Sequence, residues 1–145
     1  MSVDRSHLAQ NQASRTRLRA LTERLSEADL GRPLEGGWTV AAALAHLAFW
    51  DRWGRILLEK WEREGFVPIT ADADLLNGAL LDEWLAIPLR DAARLSLAAA
   101  EAIDRKLEAV APELLDAIAA ANPRGIVRAT HRNEHLDQIE RALAG

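Results

Sequence analysis

Thr39-Val40-Ala41-Ala42-Ala43-Leu44-Ala45-His46-Leu47-Ala48-Phe49-Trp50 opens a run that meets no proline until Pro68. Read at about 100° per residue from Thr39 to Glu64, the run divides into two arcs. The polar arc holds Asp51, Arg52, Arg55, Glu59, Glu62 and Arg63. The opposite arc holds Ala43, Leu47, Phe49, Trp50, Trp53, Leu57 and Trp61, with His46 near its middle. This is a long amphipathic helix, and its apolar arc must be buried against other elements. His46 therefore points into the core.

Outward from that helix the pattern repeats. Leu8, Leu18, Leu21 and Leu25 predict a helix over roughly 3–25, with an earlier half too polar to show its face. His7, in that polar half, reads as a solvated surface histidine. The stretch from Ser26 to Gly37, with Gly31, Pro33 and Gly36-Gly37, predicts a loop. A third helix begins near Asp72 or Asp74, either able to cap it, with Leu75, Leu76, Ala79, Leu80 and Trp84 as its apolar positions. Pro88 predicts a bend at Ala86-Ile87-Pro88, after which the pattern resumes to Val110. A short helical piece follows from Pro112 to Ala121, and Asn122-Pro123 ends it. The last helix runs from Arg124 or Gly125 to Leu143. On its wheel Val127, His131, His135, Gln138 and Ala142 form one stripe, although Arg128 and Arg132 fall near the same arc. Helix formers dominate and β-branched residues are few. The expectation is an all-α protein, a four-helix bundle forming a single domain over 1–145.

Bulk composition narrows the function. With 145 residues, the chain is long enough to build a core without staples. A net charge of -4 gives no basic patch for nucleic acid. The absence of cysteine excludes disulfides, thiolate metal sites and a cysteine nucleophile. Any thiol chemistry would use a bound small molecule. The charged start Met1 to Leu8 does not read as a signal peptide, and Val40–Trp50 is too short to span a bilayer, so a cytoplasmic location is expected.

Three of the four histidines then matter. His131 and His135 share a helical face, since residues four apart lie one above the other. Should their helix neighbour that of His46, the three imidazoles can converge and leave a coordination position open, as catalytic metal sites do. Imidazole ligands suit zinc, nickel, copper, cobalt or iron, so ligand type leaves the metal open. His131-x-x-Glu134-His135 also fits the inverted zinc-peptidase motif, with Glu134 as base. Such enzymes take another ligand from well downstream, and the sequence ends ten residues later, so a peptidase is not expected. Glu134 stays a candidate base for another reaction; the plainer reading pairs it with Arg128 or Arg141. Trp50, Trp53, Trp61 and Trp84 are read chiefly as core or dimer-seam residues, with Trp50 the candidate for stacking a ligand.

Two stretches carry a family resemblance. Gly37-Trp38-Thr39 through His46-Leu47 to Trp50, and His131-x-x-x-His135 followed by Leu136-Asp137-Gln138-Ile139, resemble the ligand-bearing helices of the DinB/YfiT-like group. That group includes the metal-binding domain of mycothiol-dependent maleylpyruvate isomerases. The resemblance implies an up-down-down-up four-helix bundle, a homodimer, and one divalent metal, zinc or nickel, held by His46, His131 and His135. It further implies a transferase or isomerase acting with a small thiol such as bacillithiol, mycothiol or glutathione on an electrophilic substrate. The isomerase's additional domain is not in this sequence, so that particular activity is not expected. Two rival functions stay open: a metal-dependent hydrolase that activates water, and a non-catalytic, dimeric helical-bundle binding protein.

Overall fold

The computed structural model describes residues 5–145. Val3, the expected start of the first helix, lies outside the described residues. Seven α-helices occur among the described residues, and no strand. They are α1 (Ser6–Arg24), α2 (Glu27–Leu30), α3 (Val40–Glu64), α4 (Ala73–Ala86), α5 (Leu89–Ala109), α6 (Pro112–Ala121) and α7 (Ala129–Ala144). None is long and apolar enough to cross a membrane.

Local chemistry sets most of the ends. The Thr39 hydroxyl accepts from Ala42 N at 3.0 Å and starts α3. Gly65, at φ 87°, stops it in a conformation that a side chain would strain. Asp72 caps α4 by accepting from Leu75 N, and Pro88 separates α4 from α5 as expected. The loop from Ser26 contains a further short helix, α2, closed by a reciprocal bond pair between Ser26 and Asp29.

The start of α7 differs from expectation. A short 3-10 turn over Pro123–Gly125 intervenes, and α7 begins only at Ala129. Its opening N–H is capped from another helix: Asn11 Oδ1 of α1 accepts from Ala129 N at 2.9 Å, while Asn11 Nδ2 donates to Ile126 O at 2.8 Å. A cap supplied across the fold leaves no mark in the local sequence.

The long helices pack α3 along α5, and α1 against both α5 and α7. Residues Val40 to Ala48 of α3 are all buried. Their many alanines meet Ala92, Ala93 and Ala100 of α5 in the main core, and small side chains bring helix axes close. Leu18 and Leu21 of α1 and Leu136 and Ile139 of α7 complete this core. A second cluster, Leu58, Ile103, Leu107, Leu115 and Ile118, closes the far end beneath α6. Leu58 rather than Leu57 is the buried one of that pair, and Leu75 of α4 is exposed.

His7 is not a surface residue. It is 3% exposed and lies with Asn11 and Ser14 on the buried side of α1. The polarity of this stretch hid its face, because the face is itself polar and packs against other polar groups.

Candidate metal centre

His46 comes from near the C-terminal end of the buried stretch of α3, and His131 and His135 come from successive turns of α7. The three rings form a nearly equilateral triangle, with centroids 4.8, 4.6 and 4.8 Å apart and planes at 70–83° to one another. One ligand nitrogen from each lies within 4.8 Å of the others. His46 Nε2 and His131 Nε2 approach to 2.8 Å, a contact in which only one nitrogen can carry a proton. The structure thus brings together all three histidines singled out by the sequence.

The surroundings keep these rings neutral. Burial, then the neighbouring His135, pushes His46 down to about 3. Burial, then His135 and His46, pushes His131 down to about 2, and burial also lowers His135. Neutral imidazole offers a lone pair, which is the form a metal requires. Gln138 Oε1 lies 3.0 Å from His135 Nδ1. Accepting a hydrogen bond from Nδ1–H fixes the tautomer whose Nε2 is unprotonated. Trp38 and Trp84 each stand edge-to-face on His46 at 5.2 Å and wall it from solvent. The donor set fits a divalent cation: a bond to each imidazole would satisfy three converging nitrogens that cannot all satisfy one another.

Above the triangle lies a cavity of about 620 Å³, lined by the histidines and by Glu35, Asp74, Asn77, Arg124, Glu134 and Gln138 among others. Glu134 is held by Arg124 through two bonds of 3.1 and 3.0 Å, not by Arg128 or Arg141. The 3-10 turn that delays α7 puts Arg124 beside it. Trp84 is the only one of the five tryptophans that is buried. Trp50, Trp53 and Trp61 are half-buried and line a neighbouring cleft, so the core reading holds for Trp84 and, in part, for Trp61, which packs against the second cluster.

Behind the histidines lies a polar cluster that the helical wheels misplaced. Asp51, on the polar arc of α3, is 3% exposed, and Arg132 is 1% exposed. The Arg132 guanidinium donates to Asp51 Oδ2 at 3.0 Å and to Asp104 Oδ1 at 2.8 Å. It also reaches Ser14 Oγ and Asn11 O, both at 3.2 Å. Arg128 Nε donates to Asp51 Oδ1 at 2.9 Å, and Arg15 pairs with Asp104 at 2.6 Å. The cluster ties α1, α3, α5 and α7 together and sets the rotation of α7. The signal was present as two arginines on the apolar arc of the last helix. Of their partners, Asp51 falls on the polar arc of its helix, and nothing in the local sequence marks Asp104.

The family model of the mycothiol maleylpyruvate isomerase N-terminal domain matches residues 12–140, a span containing all three histidines. No curated protein and no solved structure matches the chain.

Proposed function

The chain belongs to the mycothiol maleylpyruvate isomerase N-terminal domain family, and from that membership we propose a divalent-metal-dependent enzyme that transfers a small thiol to an electrophile. The observation that carries the reading is the triangle of neutral imidazoles on α3 and α7. In this reading α1, α3, α5 and α7 form the up-down-down-up bundle of a single domain over 1–145. His46, His131 and His135 hold zinc or nickel, and the protein acts in the cytoplasm as a homodimer.

When bound, the cation lowers the pKa of a thiol and supplies thiolate at neutral pH. The chain's own residues do the rest. Gln138 orients His135, and Trp38 and Trp84 keep water from His46. Glu134, tethered by Arg124, takes the thiol proton. The sulfur then bonds the electrophilic carbon, and the leaving group departs with its electron pair. The many polar groups of the large cavity suit a hydrophilic thiol.

Metal analysis of the purified protein is expected to find about one zinc or nickel ion per chain, lost in both His46→Ala and His131→Ala. Stoichiometric metal surviving both substitutions overturns the three-histidine site. Metal-dependent conjugation of bacillithiol, mycothiol or glutathione to monochlorobimane then tests the transfer. Ester turnover that needs metal but no thiol would favour a hydrolase instead.

A further inference from the structure

We propose that the aromatic cleft beside the metal cavity is the acceptor site, and that it takes an uncharged, one- or two-ring aromatic electrophile. The inference rests on the thiol-transfer reading and adds a substrate class to it. The cleft encloses about 430 Å³ between α3, the 65–72 loop and α6, within the range of roughly 300–1,000 Å³ typical of small-molecule sites. Trp50, Asn122 and Arg128 line both this cleft and the metal cavity, so the two share a wall. A molecule in one is adjacent to a molecule in the other.

The lining says what fits. Trp50, Trp53, Trp61 and Phe66 offer ring surface, and flat aromatic partners stack on or edge against such rings. The polar edges of two indoles are already satisfied: Trp50 Nε1 donates to Asn77 Oδ1 and Trp61 Nε1 to Val67 O, both at 2.9 Å. What those rings present to an occupant is carbon. The second bond also pins the loop that forms one wall.

Arg128 is the only ionisable residue among the described residues of the lining, and it is already committed. It bonds Asp51 Oδ1 at 2.9 Å, Trp50 O at 2.9 Å and Arg124 O at 3.2 Å. Gly54 lets the neighbouring Ile103 side chain pack against the helix, since a Cβ there would come within 2.7 Å of Ile103 Cδ1 and within 3.4 Å of Arg128 Cζ. The Arg128 Nε and both Nη atoms are thus hydrogen-bonded within the protein, to a carboxylate shared with Arg132 and to two carbonyls, so this guanidinium is held in the wall by the fold. The metal cavity, by contrast, carries Glu35, Asp74, Arg124 and Glu134. The division is a polar thiol in one chamber and an apolar acceptor in the other. For an aryl halide the thiolate sulfur bonds the ring carbon that bears the halogen. The halide leaves with its bonding pair, and the thiol proton passes to Glu134 and then to water.

The test uses 2,4-dinitrotoluene as an unreactive probe, in equilibrium dialysis against the purified protein without thiol. Saturable binding at one site is expected. Ala121→Trp, at an exposed position of the cleft wall, should weaken it at least about tenfold, which corresponds to about 1.4 kcal/mol. Ala120→Trp, also exposed but outside the lining, should not. Absent or non-saturable binding, or binding indifferent to Ala121→Trp, overturns the proposal. In parallel, the metal-loaded protein is offered mycothiol, bacillithiol or glutathione with 1-chloro-2,4-dinitrobenzene or acrylamide. Transfer to acrylamide without dinitrotoluene binding keeps the transferase reading and removes the acceptor site. Cleft-dependent binding without transfer to either electrophile overturns the acceptor role together with the transferase reading. Transfer to the aryl chloride that falls in Ala121→Trp, while transfer to acrylamide persists, supports both.

Discussion

His131 and Arg132 are adjacent on α7 and belong to opposite kinds of polar cluster. Arg132 is enclosed, and its donors meet two carboxylates, a hydroxyl and backbone oxygens. His131 borders a cavity and faces two rings of its own kind, with one nitrogen contact shared between it and His46. Both clusters withdraw polar groups from water, and the difference lies in whether the protein itself completes them. A complete cluster specifies how helices pack. Lone-pair donors converging on one point cannot satisfy one another and so favour a cation.

The largest effect should come from breaking the complete cluster. Arg132→Ala leaves Asp51 with Arg128 alone and Asp104 with Arg15 alone, with buried carboxylate oxygens unbonded, and is expected to cost about 3–5 kcal/mol in urea denaturation. A loss below about 1 kcal/mol would erase the distinction between the clusters. Next comes acid. In the folded, metal-free protein His46 and His131 stay neutral down to about 3 and about 2, and His135 is lowered as well. Unfolded imidazoles protonate near about pH 6.5, so below that pH the unfolded state binds more protons. Stability in the presence of chelator should be full above about pH 7 and fall steadily as the pH drops through 6.5 towards 3. Thermal melts from pH 7.5 to 5 should slope less for His131→Ala; equal slopes would refute buried neutral histidines as the cause.

A smaller effect is expected one step out from the ligands. Gln138→Ala frees the His135 ring and should lower metal affinity about 10–100-fold in competition with a chromophoric chelator, with little change in the urea midpoint. Unchanged affinity would mean that His135 needs no orienting partner. Smallest of all is the effect of Glu134→Gln on stability, within about 0.5 kcal/mol, because its ion pair with Arg124 is exposed. Thiol-transfer rate in this variant should nonetheless fall about 10²-fold or more, as for a lost proton acceptor. An unchanged rate would remove Glu134 from the chemistry.

Much of this is legible in the sequence. Thr39, Gly65, Asp72 and Pro88 bound their helices through contacts a few residues long, and such contacts are written locally. His46 stood out because an imidazole in a run of alanine and leucine cannot avoid burial. The misreadings share one cause. The local sequence predicts a solvated Asp51, an exposed His7 and a start for α7 at Arg124 or Gly125. Each was judged against neighbours in sequence, whereas Arg132, the polar side of α1 and the Asn11 cap arrive from more than 80 residues away.

Helical periodicity and composition by themselves determined that the chain is all-α, and the spacing of the histidines determined that two of them share a face. Neither could determine that the third would meet them, which way Glu134 would pair, or that three tryptophans would border a cleft. Those outcomes depend on the rotation and register of α3 against α7, set by the burial of Arg132 between Asp51 and Asp104. Periodicity is a property of one helix, but convergence is a property of two, and only packing relates them.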